Sequence, residues 1–387
     1  KSKGGCFGVL VLCFVLFLFA SISSNSDSNT KNAQQPSTTN VTTTATAIPT
    51  KQPTKAPTAT PSSTPAPTPT TEIKQDSYLE VHFLDVGQAD AALVLCDGQA
   101  MLIDGGNSSD SSFIYAYLKE HNVSHLDYIV ATHGHADHVG GLAGALNYAT
   151  AGKALCSTEY YDSEEFNDFL KYLGKRNATI TVPEVGDVFT LGSATFEIVG
   201  PLSDSDNHND TSLALRLVFG ETSFLFTGDA ETEEEFEIIA SGRDIRSTVL
   251  KVGHHGSGSS TTPAFLKKVS PEYAVISVGY DNAYGFPTQD TIETLRKANT
   301  KVFRTDIQGT IVCRSDGSKL SFSVERNADA ETLPTPSPVP TNTPVATQKP
   351  DQKTNATEYV LNTNTKKFHY PNCKSVKQMK EKKRNNR

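Results

Sequence analysis

Three histidines and one aspartate lie within six consecutive positions, in the run His133-Gly134-His135-Ala136-Asp137-His138. Imidazole and carboxylate groups form the ligand sets of zinc and similar divalent ions. In a tight loop His133 and His135 can face one ion, while Asp137 and His138 turn toward a second. Two ions about 3.5–4 Å apart can share a bridging hydroxide and clamp both oxygens of a displacement. The alternative is a polar loop without metal, but this density of ligand types favours a binuclear centre.

Apolar, strand-like runs precede polar residues at four places in the chain. Asp104 follows MLI, His133 follows YIVAT, Asp229 follows FLFTG, and His254 follows VLKVG. Strand ends are rigid, and loops that leave neighbouring ends can converge on one point. The strand-like runs fall into two halves, with helical runs between them. This pattern predicts two sheets packed face to face with helices outside, an αββα sandwich of the α/β class.

The histidine run matches the HxHxDH signature, and the chain therefore resembles the metallo-β-lactamase superfamily. Within it, the chain is most similar to the ComEC-type competence hydrolase domain and its secreted stand-alone relatives. The matching stretches occur in the family's order: FLDVGQADA (83–91), LIDGG (102–106), HGHADHVGG (133–141), NDTSLALRL (209–217), FLFTGD (224–229) and LKVGHHGS (250–257). The resemblance implies a metallo-β-lactamase fold over residues 76–330 and a hydrolase with two divalent ions, zinc or alternatively manganese.

The resemblance also implies a role for each site residue. His133 and His135 bind the first metal, Asp137 and His138 bind the second, and Asp229 bridges the two. Asp229 could also cap the helix that begins near Glu231. His254 completes the second metal, because it comes first after its strand. The neighbouring His255 is the competing ligand and otherwise contacts substrate oxygens or donates a proton, so the predicted catalytic residues are Asp137 and His255.

Four further residues are expected to support the site, and two positions depart from the family. Asp85, Gln88, Asp90 and Asp104 are predicted to hydrogen-bond to the ligands without binding metal. Many members supply a third histidine to the first metal, whereas the loop here offers His208, Asn209 or Asp210. Tyr-Gly-Phe-Pro at 284–287 stands where relatives have Tyr-Gly-His-Pro, so Phe286 removes a group that could contact phosphate.

Segments outside 76–330 have a different composition. Basic residues precede the apolar run Cys6 to Ala20, which predicts a signal peptide or signal anchor over 1–26 and export to the cell surface or medium. A buried core helix is the alternative reading of that run. Residues 27–75 and 331–355 are rich in Thr, Ser and Pro and are predicted to be disordered linkers that tether the domain to a cell wall or membrane surface. Cys96, Cys156 and Cys313 are too sparse for a disulfide framework and are predicted core residues.

Residues 356–387 resemble the start of a small Ada-like zinc module. Cys373 is its only cysteine, however, and one Cys with His369 does not make a closed zinc site. The module is therefore predicted to be incomplete, and its basic tail, Lys374 to Arg387, is expected to be solvated. The oligomeric state is left open by these patterns.

Charge bears on the substrate. Residues 76–330 contain 37 acidic and 18 basic residues, a net charge of −19 in a chain of −8 overall. The resemblance implies phosphodiester cleavage by a metal-bridging hydroxide, with DNA as the favoured substrate. An acidic domain repels polyanions, so a cell-wall or phosphocholine-type phosphodiester is a second candidate. A surface binding module that retains the fold without catalysis is the non-enzymatic alternative.

Overall fold

A computed structural model describes residues 77–334, together with three short strands at 360–362, 367–369 and 384–386. The predicted signal segment, the first linker and nearly all of the second lie outside the described residues. Residues 331–334, assigned above to the second linker, contact the domain: Thr332 Oγ1 donates a hydrogen bond to the carbonyl of Val302, and Leu333 packs on the apolar core.

Fifteen strands and eight helices make up residues 77–334. The strands are β1 (Leu79–Phe83), β2 (Ala92–Cys96), β3 (Gln99–Ile103), β4 (His125–Ala131), β5 (Thr150–Cys156), β6 (Ile180–Thr181), β7 (Val188–Leu191), β8 (Ala194–Gly200), β9 (Ala214–Phe219), β10 (Thr222–Phe226), β11 (Val249–Lys251), β12 (Tyr273–Ile276), β13 (Lys301–Arg304), β14 (Ile311–Ser315) and β15 (Leu320–Val324). The helices are α1 (Ser111–Glu120), α2 (Ala136–Val139), α3 (Leu142–Tyr148), α4 (Glu164–Lys175), α5 (Thr232–Ala240), α6 (Pro263–Val269), α7 (Gln289–Lys297) and α8 (Thr305–Gln308).

The strands form two large sheets. The first has the order β15-β14-β1-β2-β3-β4-β5-β6, and the second has the order β13-β12-β11-β10-β9-β8-β7. The three C-terminal strands, β16 (Val360–Asn362), β17 (Lys367–His369) and β18 (Arg384–Asn386), form a small sheet with β16 in the middle. In the described part of the chain, no helix is both long and apolar enough to cross a membrane.

The apolar side chains of the first sheet divide between its two faces. In β2, Val94 and Cys96 belong to the cluster between the sheets, whereas Leu93 belongs to the cluster under α1, α3 and α4. Successive side chains of a strand point to opposite faces, so a strand covered on both sides is apolar throughout. Phe83 and Phe226 stack across the sheets with ring centroids 5.9 Å apart.

The second sheet is covered in the same way on its outer face. Leu225, Leu250 and Ala274 form a third cluster with Phe265 of α6 and Leu295 of α7. The layers are therefore helices, sheet, sheet and helices, which confirms the predicted αββα sandwich. Cys96, Cys156 and Cys313 are all buried in it, as expected of core residues.

Strand direction places the site. In the first sheet β3 runs parallel to β4, and Asp104 and Thr132 follow their carboxyl ends. In the second sheet β10, β11 and β12 are parallel neighbours, and the loops after β10 and β11 carry Asp229 and His254. The carboxyl ends of parallel neighbours lie at one edge of a sheet, where open α/β sheets commonly bind ligands. The predicted strand-to-polar junctions thus belong to two parallel groups, one in each sheet.

Candidate metal centre

The histidine run follows β4 and continues into α2. Asp104 holds its start, because one carboxylate oxygen accepts from the Thr132 backbone N–H at 2.8 Å and the other from the Thr132 hydroxyl at 2.9 Å. His133 and His138 are fully buried. His133 Nε2 lies 3.0 Å from His135 Nδ1, so a nitrogen of each of these two imidazoles is in the same place.

Four side chains from three loops converge beside this pair. Potential ligand atoms of Asp137, His138, Asp229 and His255 all lie within 4.8 Å of one another. Asp229 Oδ2 is 3.3 Å from His138 Nε2 and 4.0 Å from His133 Nε2. Asp229 therefore lies between the His133–His135 pair and the second group, where a carboxylate can bridge two ions.

Unpartnered atoms in this cluster fit a metal. His138 Nε2, His255 Nε2 and Asp229 Oδ1 are buried, and each lacks a hydrogen-bond partner among the described residues. Leaving a buried polar atom without a partner costs about 1–3 kcal/mol, yet three such atoms belong to one cluster of potential ligands. Imidazole nitrogen and carboxylate oxygen are the donor atoms that zinc takes. A divalent ion bound in this cluster would be a partner for the two imidazole nitrogens and for the Asp229 carboxylate.

Acidic side chains and carbonyls hold the imidazoles from behind. Asp104 Oδ2 accepts from His138 Nδ1 at 2.9 Å. His255 Nδ1 donates to the carbonyl of Ser277 at 3.1 Å and lies 3.5 Å from Asp90 Oδ1. Such contacts fix which nitrogen carries the proton, so that the other nitrogen would be free to bind a metal.

The other two predicted supporting residues brace loops instead of ligands. Asp85 Oδ2 accepts from Arg326 at 2.8 Å. Gln88 Oε1 accepts from the backbone N–H of Gly279 at 3.1 Å, which ties the loop after β1 to the segment after β12. Neither side chain makes a described contact with a ligand imidazole or carboxylate.

His254 and His255 occupy different places. The side chain of His255 is 2 % exposed and lies 3.3 Å from Asp137 Oδ2 through Nε2, whereas that of His254 is 20 % exposed. Both residues have left-handed backbones, with φ of 49° and 53°, and their rings diverge. His254 Nδ1 lies 3.2 Å from Glu231 Oε1. The structure thus brings His255 into the four-residue group and places His254 at its edge, whereas the sequence interpretation gave the ligand position to His254.

The three candidates for a third ligand to the first metal also differ. Both carboxylate oxygens of Asp210 are occupied, by the Glu231 N–H at 2.8 Å and by Asn207 Nδ2 at 2.9 Å. Asn209 donates from Nδ2 to Glu231, which leaves its Oδ1 buried without a partner. The ring of His208 is 6.2 Å from that of His135. The geometry therefore leaves Asn209 and His208 as candidates for the third ligand of the first metal.

Electrostatics in the cluster suits a cation. Burial lowers the pKa of His133 well below its usual value. Burial also lowers the pKa of His255, but the carboxylates of Asp229 and Asp90 outweigh it and raise that pKa to about 10. Burial would raise the pKa of Asp229, yet His138 and His255 hold it well below its usual range. The carboxylates thus attract positive charge to this point, and a divalent ion can replace the imidazole protons.

Three contacting residues were not anticipated from the sequence. Lys251 is buried in β11 and donates to Asp90 Oδ2 at 2.8 Å. Glu231 contacts both Asn209 and His254, and the ring of Tyr161 lies 5.7 Å from that of His135. A lysine inside the apolar run VLKV was a usable signal, because a lysine is rarely buried unless it is paired. The sequence contained no comparable signal for Glu231 or Tyr161.

A fold of two sheets between helices, with a histidine and aspartate cluster at the strand ends, defines a class of metal-dependent hydrolases. The family description "Metallo-beta-lactamase superfamily" matches residues 84–280, about half of the chain. The chain belongs to the metallo-β-lactamase superfamily and has its metal-dependent hydrolase fold.

Competence proteins are among its relatives, as the sequence motifs predicted. ComE operon protein 3 of Bacillus subtilis (strain 168) is 29% identical over 264 residues, which cover 63% of this chain and 34% of that protein. Competence protein ComA of Neisseria gonorrhoeae is 32% identical over 231 residues, 59% of this chain and 31% of that protein. The chain thus spans about a third of the length of either relative. Among solved structures, the metallo-β-lactamase fold protein YhfI from B. subtilis has 13% identity and a TM-score of 0.44, covering 62% of this chain and all of that one.

Proposed function

We propose that this chain is a binuclear metal-dependent hydrolase that cleaves phosphodiesters, with nucleic acid as the favoured substrate class. The observation that carries the proposal is the convergence of buried, unpartnered ligand atoms of His138, Asp229 and His255. They come from loops of both sheets and lie beside the His133–His135 pair. A pair of divalent ions at such a site supplies a nucleophile at neutral pH and neutralises charge on a phosphoryl group.

The ligands divide into two groups around Asp229. His133 and His135, with Asn209 or His208, would hold the first ion. Asp137, His138 and His255 would hold the second, and Asp229 would contact both. We therefore assign to His255 the ligand position that the sequence interpretation gave to His254. The nitrogen-rich ligand set suits zinc, and the carboxylates also admit manganese.

His254 is then available for proton transfer. It is half-buried, its Nε2 is 3.7 Å from Asp229 Oδ2, and its Nδ1 faces Glu231. A carboxylate that accepts from one imidazole nitrogen orients the ring, so that the other nitrogen faces the reacting group. We propose that His254 acts in its imidazolium form: Nδ1–H is held by Glu231, and Nε2 gives its proton to the leaving oxygen.

The substrate class rests on the relatives and on the chemistry of the centre. The relatives are named for competence, which favours DNA. The net charge of −19 over residues 76–330 favours a smaller phosphodiester, such as a cell-wall or phosphocholine-type ester, as the second candidate. Export and tethering through the Thr/Pro-rich segments are part of the proposal and rest on the apolar run at 6–20 alone.

A substrate panel with a metal count tests this function. The full-length chain, loaded with zinc or manganese, is assayed on bis(4-nitrophenyl) phosphate, linear DNA and the β-lactam nitrocefin. We expect two ions per chain, turnover of the phosphodiesters and none of nitrocefin. His135→Ala should abolish turnover, while His125→Ala, an exposed histidine at the opposite end of β4, should not.

Two results would contradict the proposal. Phosphodiester turnover that survives His135→Ala unchanged would place the chemistry elsewhere. Fewer than two ions per chain with no turnover of any substrate would favour the binding module that retains the fold without catalysis.

A further inference from the structure

An exposed aromatic pair borders the candidate metal centre on the side of His254. The rings of Tyr284 and Phe286 lie 21° from parallel with centroids 5.5 Å apart, and we call this pair the aromatic platform. Phe286 is partly buried against the core, whereas Tyr284 is 69 % exposed. The platform thus has an anchored ring next to the site and a second ring that extends into solvent.

One imidazole separates the platform from the bridging carboxylate. The Phe286 ring centroid is 5.6 Å from that of His254, and His254 Nε2 is 3.7 Å from Asp229 Oδ2. The platform is therefore within reach of the group next to a phosphate bound at the metal centre.

The loop that carries the platform is held by one side chain. Asn282 donates from Nδ2 to the carbonyls of Gly279 at 2.9 Å and Phe286 at 2.7 Å. Its Oδ1 accepts from the backbone N–H groups of Tyr284 at 3.2 Å and Phe286 at 3.0 Å. Three of these four hydrogen bonds hold backbone atoms of the two aromatic residues, so the loop needs little further ordering when a ligand binds. Preorganisation of this kind favours binding because the entropy of ordering is spent in folding.

The packing of the fold does not explain why Tyr284, next to the candidate metal centre, is exposed. Burial of an aromatic ring is favourable at about 25 cal/mol per Å², and Tyr284 forgoes most of it. The acidic domain also gains little from charge when it meets a phosphate ester, because it carries 37 acidic and 18 basic residues over 76–330. Stacking on an aromatic ring needs no charge complementarity, and base–aromatic stacking contributes about 1–3 kcal/mol per base.

We propose that the aromatic platform of Tyr284 and Phe286 binds the nucleobase of a nucleotide whose phosphate lies at the metal centre. The proposal rests on the proposed function for the position of the phosphate. Ring geometry separates a base from a quaternary ammonium group. Aromatic cages surround a cation with several ring faces, whereas these two rings are nearly parallel and only Tyr284 is largely exposed, which suits a flat ligand stacked on one ring.

Calorimetry on the zinc-loaded full-length chain measures the contribution of the base. Thymidine 5′-monophosphate is compared with 2-deoxyribose 5-phosphate, which lacks the base, and with phosphocholine. We expect the nucleotide to bind at least about fivefold more tightly than the sugar phosphate, since about 1 kcal/mol corresponds to that factor. Tyr284→Ala should remove the difference, and Tyr284→Phe should retain it.

Two more variants complete the comparison. Tyr78→Ala removes an exposed tyrosine that directly precedes the first residue of β1. It is the control and should leave the base preference unchanged. Asn282→Ala keeps both rings but frees their loop, and should weaken the preference. Equal affinity for nucleotide and sugar phosphate, or a preference that survives Tyr284→Ala, would overturn the proposal. Selective loss of phosphocholine binding in Tyr284→Ala would replace it with a cation site.

Turnover separates this inference from the function beneath it. Thymidine 5′-(4-nitrophenyl phosphate) and methyl 4-nitrophenyl phosphate release the same leaving group, and the first carries a nucleoside where the second carries a methyl group. If both are hydrolysed with equal kcat/KM in the wild type and in Tyr284→Ala, the platform fails and the hydrolase stands. If neither is hydrolysed while calorimetry still shows the base preference, the hydrolase fails and the platform stands.

Discussion

Two consecutive histidines, His254 and His255, have different surroundings although both belong to one turn with a left-handed backbone. Only glycine adopts this conformation without strain, and each non-glycine residue held there costs about 1–3 kcal/mol. Here the turn buries one imidazole among Asp137 and Asp229 and leaves the other at the opening beside Phe286. The same turn therefore buries one imidazole and leaves the other accessible, which is the basis of the two roles proposed above.

Substitution of each histidine should separate those tasks. We expect His255→Ala to lose about one metal ion per chain, because it removes a buried ligand. His254→Ala should keep both ions and lower kcat by about 10²–10⁴-fold, the range for removal of a general acid. Elemental analysis of the purified variants and kcat on bis(4-nitrophenyl) phosphate check this. Equal metal content in His255→Ala and wild type would return the ligand role to His254.

At the scale of single elements, α5 carries a carboxyl group that is buried without a hydrogen-bond partner among the described residues. Glu234 is 2 % exposed and both carboxylate oxygens lack a hydrogen-bond partner among the described residues. Burial, reinforced by Asp210, raises the pKa of Glu234 well above its usual value of 4.5. A carboxyl whose pKa is higher in the folded chain holds its proton longest there, so stability falls as the pH rises above the unfolded pKa.

Glu234→Gln should remove this pH dependence. The amide has the same shape and no charge, so the variant should be more stable than wild type at pH 8 and similar to it near pH 4.5. Denaturant unfolding at both pH values, with the exposed Glu233→Gln as control, measures the difference. A variant that is less stable than wild type at pH 8 would show that Glu234 is ionised and stabilising.

Close contact between α1 and α3 depends on a glycine. A Cβ at Gly144 would lie inside van der Waals contact of the Ser111 carbonyl, whereas one at Gly174 on α4 would meet no atom within 4 Å. We expect Gly144→Ala to destabilise the fold by about 1–3 kcal/mol through overpacking. Gly174→Ala should stabilise it by about 0.5–1 kcal/mol, because alanine loses less entropy in a helix. The melting temperatures of Gly144→Ala and Gly174→Ala test this prediction. Equal shifts of the two melting temperatures would contradict the close contact at Gly144.

The sequence predicted the elements far better than the turns between them. Alternation of apolar residues and the strand-to-polar junctions predicted both sheets and the edge where the ligands meet. Which of His254 and His255 is buried in the cluster depends on two φ angles, and the residue types do not predict these angles. Likewise the hydrogen bonds of Asp210, which remove it from the ligand candidates, arise from the shape of its loop and not from spacing.

For the whole molecule, the candidate metal centre brings together loops of both sheets. His138 follows a strand of the first sheet, and Asp229 and His255 follow strands of the second. An ion bound by all three would therefore stabilise the contact between sheets as well as the loops. Ligands that bind only the folded state raise its stability by about 2.7 kcal/mol at one hundred times Kd.

Metal removal should lower the melting temperature. We expect a chelator to decrease Tm by about 5–10 °C, since about 1 kcal/mol shifts Tm by 2–4 °C in a domain of this size. Zinc should restore the original value. His255→Ala, which already lacks one ligand, should show a smaller shift in the same scan. No change of Tm in the wild type would mean that the centre does not bind metal.

Pairing of β1 with β14 has a consequence for how the domain forms. Leu79 lies opposite Ser315, so the first strand acquires its outer neighbour only from residues synthesised near the end of the domain. Pairings between residues far apart in sequence close large loops and form slowly. Until β14 emerges, one edge of β1 stays open, and a chain interrupted before Ile311 would present that edge to other chains. The first sheet is therefore complete only after β14 and β15 have been synthesised.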